Sequence, residues 1–247
     1  MQSLQGRLAL VTGASAGIGA ATARSLDAAG CRLVLAARRK DRLEALASEL
    51  SDAEIRVLDV RDARAVQDAL GDDEFDILIN NAGMALGTEP LHEGDPDEWS
   101  QMIDTNVKGF LHVYRAVTPG MIARGRGDVV TLGSVAGFQV YPGGNVYCAT
   151  KHAVHALYEA MRLDSGASGV RFTTINPGMT ETEFSNVRFR GDEDRAKKVY
   201  EGVDPIRAED VADAILWAIT RPGNVNIGEI VLWASAQAST TIIHRNS

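Results

Sequence analysis

The sequence predicts a single α/β domain, a doubly wound parallel sheet of about seven strands with helices on both faces. Three observations carry that expectation. Short apolar runs alternate with longer helical segments along the chain, the pattern of parallel strands joined by crossover helices. A glycine-rich turn, Gly13-Ala14-Ser15-Ala16-Gly17-Ile18-Gly19, follows the first run directly and opens a helix. The 247 residues show no repeat, linker or shift in composition, so 1–247 reads as one unit.

The first strand is Arg7–Thr12, and the helix after the glycine turn is Ala20–Ala29, closed by Gly30 as a C-cap. Strand, glycine turn and helix form the context in which such a turn holds a dinucleotide pyrophosphate. Glycines let the backbone approach, and the helix start offers free N–H groups and the positive end of its dipole. The spacing is G-x-x-x-G-x-G rather than G-x-G-x-x-G, and a lone glycine turn is weak evidence because turns need glycine anyway.

The second strand, Cys31–Ala37, ends in Arg38-Arg39-Lys40. No acid stands between Leu33 and Lys40 to take ribose hydroxyls, whereas Arg38 is placed to fork onto a 2′-phosphate. The competing reading is a solvated basic start to a helix over 41–50. The third strand, Ile55–Leu58, leads to Asp59-Val60, a candidate adenine contact, and then to the helix Ala63–Leu70. The fourth, Phe75–Ile79, is followed by the turn Asn80-Asn81-Ala82-Gly83 at the carboxyl end of the sheet, where open parallel sheets bind ligands.

Pro96 to about Ala123 reads as one long helix with an apolar stripe at Ile103, Val107, Phe110, Tyr114, Val117 and Met121. Asn106 lies beside the stripe. A buried Asn needs partners, and this one is a candidate to hold a water for a proton relay. The fifth strand, Asp128–Gly133, ends at Ser134, and a loop over 137–145 carries Phe138 and Tyr141.

The helix Val146–Gly166 carries Tyr147 and Lys151, four apart and so on one face about a turn apart. A phenol with a pKa of about 10 is a poor proton shuttle near pH 7. A cation at roughly 4 Å, with an effective dielectric of about 20, is worth about 4 kcal/mol, enough to lower that pKa by about three. The Ser134 hydroxyl then bonds the substrate oxygen held against the phenol. Alone, a Tyr and a Lys at this spacing describe a ring on the core beside a solvated amine. The glycine turn at the other end of the chain is what favours a site.

The sixth strand, Val170–Ile175, precedes Asn176-Pro177-Gly178. The charged, weakly helical segment 179–203 is expected to cover the substrate. Within it Arg188 and Arg190 are two apart. In an extended loop they share a face and are candidates to fork onto a carboxylate or sulfonate. Pairing with Glu181, Glu183, Asp192 or Glu193 is the competing reading. Asn145, two residues before Tyr147, is a second candidate for a substrate oxygen. A helix at Glu209–Thr220 and a last strand at Glu229–Trp233 follow, and the tail 234–247 has no clear class.

A net charge of -8 and a pI near 5.2 argue against nucleic-acid or anionic-membrane partners. Only Cys31 and Cys148 are present, with no disulfide framework, no signal peptide and no bilayer-length apolar run. A cytoplasmic location and a small-molecule substrate are expected, and no metal.

Taken together, Thr12-Gly13-x-x-x-Gly17-x-Gly19, Asn80-Asn81-Ala82-Gly83, Asn106, Ser134, Tyr147-x-x-x-Lys151 and Pro177-Gly178 resemble the short-chain dehydrogenase/reductase family. They fall in the family's order across nearly the whole chain, and their joint occurrence is specific where single pieces are not. The resemblance implies a Rossmann-type domain and a catalytic tetrad of Asn106, Ser134, Tyr147 and Lys151. Tyr147 is the general acid/base. Lys151 holds the nicotinamide ribose, and the cofactor's cationic ring helps to depress the Tyr147 pKa. The implied cofactor, NADP, would be bound by Gly13, Ser15, Gly17, Ile18, Gly19, Arg38, Arg39, Asp59, Val60, Asn81, Ala82, Gly83, Tyr147, Lys151, Pro177, Gly178, Thr180 and Thr182.

Met84–Pro90, Met102–Asn106, Gly143–Tyr147 and Glu183–Phe189 further resemble the NADP-dependent 3-hydroxy acid dehydrogenases, which include L-allo-threonine and serine dehydrogenases and reductases of small anionic aldehydes. The turn at Gly178–Thr182 departs from that subgroup in being slightly shorter and more polar. The expected substrate is a short 3-hydroxy acid or its carbonyl form, met by Ser134, Asn145, Tyr147, Arg188 and Arg190. A homotetramer is implied, with the stripe from Ile103 to Met121 and the positions Ala149, Ala153, Leu157 and Ala160 as candidate faces. The alternatives are a 3-oxoacyl carrier-protein reductase, with Arg124 and Arg126 offering basic surface, another carbonyl reductase, or a non-catalytic NADP(H)-binding sensor.

Overall fold

The computed structural model describes residues 2–246, in which the apolar runs become seven parallel strands. These are β1 (Leu8–Thr12), β2 (Arg32–Ala37), β3 (Ala53–Val57), β4 (Ile77–Asn80), β5 (Gly127–Leu132), β6 (Val170–Pro177) and β7 (Glu229–Leu232). Their order is 3-2-1-4-5-6-7, so the winding reverses between β1 and β4, where such sheets open a crevice at their carboxyl ends. β1, β4 and β5 are buried nearly throughout, which is why they read as continuous apolar runs rather than alternating ones.

Alternation within each strand still divides the core. Ala9, Val11, Leu33, Leu35, Ile77 and Ile79 pack with α1 (Gly17–Ala28), α2 (Lys40–Glu49) and α9 (Ala208–Ile219) on one face. Leu10, Val34, Leu78, Val129 and Phe172 pack with α3 (Ala63–Leu70), α5 (Phe110–Ala123) and α6 (Asn145–Ser165) on the other. Among the described residues no helix is long and apolar enough to cross a membrane.

Three elements differ from the sequence reading. The long helix expected over 96–123 is α4 (Pro96–Ile103) and α5 joined by a π segment, Asp104–Gly109, of the kind that often marks functional sites. Gly109 in that segment is pressed against Val60, and a Cβ there would stand 2.6 Å from the Val60 side chain. The charged segment after β6 contains two short helices, α7 (Phe184–Arg188) and α8 (Glu193–Lys198). The tail folds back, with a bridge between Gln237 and Ile243 and the Gln237 side chain buried. Other element ends move by a few residues. α1 starts at Gly17 because the end of the glycine turn is the helix's own first turn.

Candidate active site

Gly13 and Gly17 take φ of 65° and 54°, the left-handed region that glycine enters without penalty. Gly19 is buried behind them, where a Cβ would stand 2.5 Å from the Gly13 carbonyl oxygen. The N-cap of α1 is Ala16, which offers no side-chain cap, so the helix's first N–H groups are available to an anion. This turn forms the middle of a continuous cavity of about 670 Å³ at the carboxyl ends of the strands. The cavity runs from Arg38 and Arg39 at one end to Ser134, Tyr147, Lys151 and Arg188 at the other. It is also lined by Ser15, Ile18, Asp59, Val60, Asn81, Ala82, Gly83, Pro177, Gly178, Thr180 and Thr182. Gly19, Asn106, Asn145 and Arg190 stand outside the lining.

At the basic end, Arg39 directs Nε and Nη2 at Ser15 Oγ (3.2 and 3.1 Å) and Nη1 at Glu183 (2.9 Å), which also accepts from Arg42 (3.1 Å). Glu183 therefore pairs with Arg39, just after β2, and Arg42 of α2 rather than with Arg188 or Arg190. Asp59 accepts from Arg61, and that hydrogen bond holds its carboxyl below the usual range. The glycine turn, uncapped helix start and guanidiniums fit a dinucleotide carrying an additional phosphate.

At the other end, the Ser134 N–H donates to Asn176 Oδ1 (3.1 Å), and Ser134 Oγ accepts from Ala136 N (3.1 Å), fixing the hydroxyl at the end of β5. The Tyr147 ring packs against Phe184 with centroids 5.5 Å apart. Lys151 Nζ donates to the Leu132 carbonyl (2.8 Å) and stands 6.0 Å from the centre of the Tyr147 ring.

The electrostatics reverse the sequence-based expectation. Burial pushes the Tyr147 phenol up, with a contribution from Tyr141, while hydrogen bonding to Ser134 and the Arg188 charge oppose it. Burial also pushes the Lys151 ammonium down to about 8. Attraction from Lys151 does not offset the burial of the phenol, because both groups are desolvated and the ammonium is turned toward Leu132.

Asn106 is braced rather than free. Its Oδ1 accepts from Met84 N (2.8 Å), and its Nδ2 donates to the Met84 carbonyl (2.8 Å) and Thr150 Oγ1 (3.0 Å). Both amide hydrogens are committed, so the side chain ties the loop after β4 to α6 and has none left for a relay water. Asn145 likewise does not face the cavity. It donates to the Glu89 carbonyl (2.9 Å) and accepts from Val146 N at the start of α6.

Arg188 and Arg190 do not share a face. The chain is helical through Arg188, and Arg190 takes a positive φ of 55° that turns it outward. Arg190 pairs with Glu98 (2.6 and 2.8 Å) and Glu89 (2.9 Å), which holds the Glu89 carboxyl down to about 2. Arg188 points inward instead. Its guanidinium donates to Tyr141 Oη (2.8 Å), the Gly143 carbonyl (3.0 Å) and the Gly87 carbonyl (3.3 Å), and lies 5.9 Å from the Tyr147 ring centre. Among the described residues no carboxylate pairs with it.

The sequence reading missed the tail. Gln237, Thr240, Ile243 and Arg245 line the cavity, Gln237 accepts from Met179 N (2.8 Å), and Arg245 donates to the carbonyls of Val199 and Glu201. The polar, aperiodic tail gives no local signal of this. Tyr141 was noted only as a loop aromatic, and its partnership with Arg188 has no sequence signature. Among the described residues no group of three His, Cys, Asp or Glu is placed to hold a metal ion.

Residues 7–193 match the short chain dehydrogenase family. The NADP-dependent 3-hydroxy acid dehydrogenase YdfG of Escherichia coli strain K12 is 42% identical over 246 residues, covering 96% of this chain and 99% of that protein. Its namesake in Salmonella typhi is 40% identical over 247 residues, covering 97% and 100%. Among solved structures, the closed form of serine dehydrogenase complexed with NADP+ superposes with a TM-score of 0.92 at 41% identity, covering 97% and 100%. A 3-ketoacyl-(acyl-carrier-protein) reductase from Brucella melitensis, complexed with NADH, shares the fold at 23% identity and a TM-score of 0.84, covering 94% and 99%.

Proposed function

This chain belongs to the short-chain dehydrogenase family, and we propose that it is an NADP(H)-dependent oxidoreductase interconverting a small 3-hydroxy acid and its carbonyl form. The observation that carries the substrate class is Arg188, a guanidinium at the Tyr147 end of the cavity that has no carboxylate partner among the described residues. Relatives at 40–42% identity named for 3-hydroxy acids support the same reading.

In this reading Arg38 and Arg39 would hold the 2′-phosphate of NADP(H), and the glycine turn its pyrophosphate. Asp59 and Val60 would hold its adenine, and Asn81, Ala82, Gly83, Pro177, Gly178, Thr180 and Thr182 would hold the rest of the dinucleotide. When bound, the cofactor supplies or accepts the hydride at the substrate carbon. Ser134 donates a hydrogen bond to the reacting oxygen. Tyr147 Oη takes the hydroxyl proton during oxidation and returns it during reduction. Lys151 has two N–H donors beyond the one on Leu132 for ribose hydroxyls, and its charge, with that of Arg188, lowers the cost of forming phenolate in a buried site. Arg188 forks onto the substrate carboxylate.

The segment 179–203 acts as a lid, and the catalytic domain is the whole chain. The protein is a cytoplasmic homotetramer in this reading. Exposed Ile103 and Leu111 and the positions Ala149, Ala153, Leu157 and Ala160 offer faces for two-fold packing, and two buried free cysteines suit a reducing compartment. Purified protein should oxidise L-serine, L-allo-threonine or 3-hydroxypropionate with NADP in preference to NAD. Turnover of an acyl thioester with no turnover of any hydroxy acid would overturn the assignment.

A further inference from the structure

Three consecutive residues at the start of the lid touch three parts of the site. Thr182 packs on the glycine turn, its Cβ 3.1 Å from where a Cβ on Gly17 would lie. Glu183 joins Arg39 and Arg42, at 2.9 and 3.1 Å. Phe184 packs on the Tyr147 ring. Arg39 therefore has one edge on Ser15 of the glycine turn and its remaining nitrogen on the lid. The hydrogen bond from Arg39 also holds the Glu183 carboxyl below its ordinary range, so Glu183 is ionised at neutral pH.

Resting on the reading that the cofactor is NADP(H), we propose that Glu183 is a positioning residue that couples recognition of the 2′-phosphate to closure of the lid over Tyr147. The charge balance supports a shared site rather than an exchange of one anion for another. Arg38, Arg39 and Arg42 bring three positive charges, and Glu183 neutralises one of them. The surplus matches the charge of about -1.5 to -2 on a phosphate monoester. The geometry allows both anions at once. A planar guanidinium presents separate edges: Glu183 takes Nη1, while Nε and Nη2 meet only the Ser15 hydroxyl, and Ser15 and Arg39 both line the cavity.

Each anion then fixes Arg39 in the orientation that the other needs, a favourable coupling that is reciprocal by thermodynamic necessity. Without a 2′-phosphate, Arg39 keeps only the Ser15 hydroxyl on its cavity edge. Its hold on Glu183, and through the next residue on the packing of Phe184 against Tyr147, is correspondingly weaker. The dinucleotide is thereby read twice, once in affinity and once in the placement of the lid.

The test uses the full chain, with 2′-phospho-ADP-ribose and ADP-ribose as probes, binding by calorimetry, and amide exchange over α7. Wild type is expected to prefer the phosphorylated probe and to gain more protection in 184–188 with it than with ADP-ribose. Glu183→Gln is expected to cut the preference about two- to fivefold, the range for exposed ion pairs. It should also abolish the extra protection while leaving ADP-ribose affinity within about twofold. Arg42→Gln, which spares Arg39, is expected to show a smaller loss in the same direction. An undiminished preference with undiminished protection in Glu183→Gln overturns the coupling alone. A preference that rises in Glu183→Gln makes Glu183 a competitor of the phosphate, and also overturns it. A wild-type protein that does not distinguish the probes overturns the NADP(H) reading and this proposal with it.

Discussion

Replacing Arg188 by Ala should separate charged from neutral substrates. A guanidinium has five N–H donors. In Arg188 three go to Tyr141 Oη, the Gly143 carbonyl and the Gly87 carbonyl, so two remain for a ligand. All three acceptors are uncharged, and the guanidinium keeps its full charge facing the cavity. Removing a charged hydrogen-bond partner typically costs about 1.5–3 kcal/mol, a loss of roughly 10- to 150-fold in efficiency. That loss should appear in kcat/KM for L-serine and 3-hydroxypropionate and be under about fivefold for 1,3-propanediol, which lacks the carboxylate. Arg188→Lys should recover part of it, since an ammonium keeps the charge without the fork. Arg190→Ala is the internal control. Its pairs with Glu89 and the largely buried Glu98 lie outside the cavity, so any effect should be equal for all three substrates. The three bonds of Arg188 also tie α7 to the loops before α4 and α6. Equal losses on acid and diol in Arg188→Ala would mean that it acts only through the position of α7 or through the Tyr147 proton transfer, and anion recognition would be refuted.

Tyr147→Phe should lower kcat by roughly 10²–10⁴-fold with NADPH binding, read by fluorescence titration, nearly intact; more than a tenth of wild-type turnover would remove Tyr147 from the proton path. Arg38→Asp should flatten or reverse the NADPH-over-NADH ratio of efficiencies, and an unchanged ratio would leave Arg38 a solvated helix start. Lys151 supplies a pH dependence of stability, because burial lowers its pKa from 10.5 to about 8. Between those values the unfolded chain binds more protons than the folded one, so this group adds stability as pH rises from about 8, at most about 3 kcal/mol. Denaturant titrations of wild type against Lys151→Met should show that slope only in wild type. Light scattering at micromolar concentration should give a tetramer mass, and a monomer mass would refute the helix-face reading.

What the sequence revealed depended on how local the cause was. β1, the glycine turn and α1 are adjacent in the chain, and each constrains its neighbour, so the strand–turn–helix unit could be read from 7–29 directly. α3 lies residue for residue where the sequence analysis expects it, and its start has a short-range cause in the structure, Asp62 accepting from the N–H groups of Arg64 and Ala65. The π segment left no comparable trace. It depends on Asn106 reaching back 22 residues to Met84 and on Gly109 meeting Val60, contacts that exist only after the sheet has formed. The tail was illegible for the same reason. Gln237 becomes part of the site only because Met179 stands beside it, 58 residues away in sequence.

The Tyr147–Lys151 pair shows where spacing stops being informative. Helical periodicity correctly placed both side chains on one face, and both line the cavity. The sign of the perturbation depends instead on solvent, and a four-residue spacing says nothing about that. At 8% exposure for Lys151 and 9% for Tyr147, desolvation acts against the charged form of each group, raising one pKa and lowering the other. Attraction from an ammonium 6.0 Å from the ring centre, already bonded to Leu132, does not offset it. The neutral phenol is accordingly the favoured form, suited to giving a proton to a carbonyl oxygen. Running the reaction toward oxidation requires positive charge close to the phenol, and Arg188, which does lower the Tyr147 pKa, is carried on α7, within the segment proposed as a lid. In the proposed mechanism, closure of that segment brings a cation to Tyr147, so the proton transfer, and not only the exclusion of water, depends on closure. Arg188→Ala should therefore impair oxidation more than reduction of the same substrate pair under saturating conditions, and equal falls in the two values of kcat would confine Arg188 to binding.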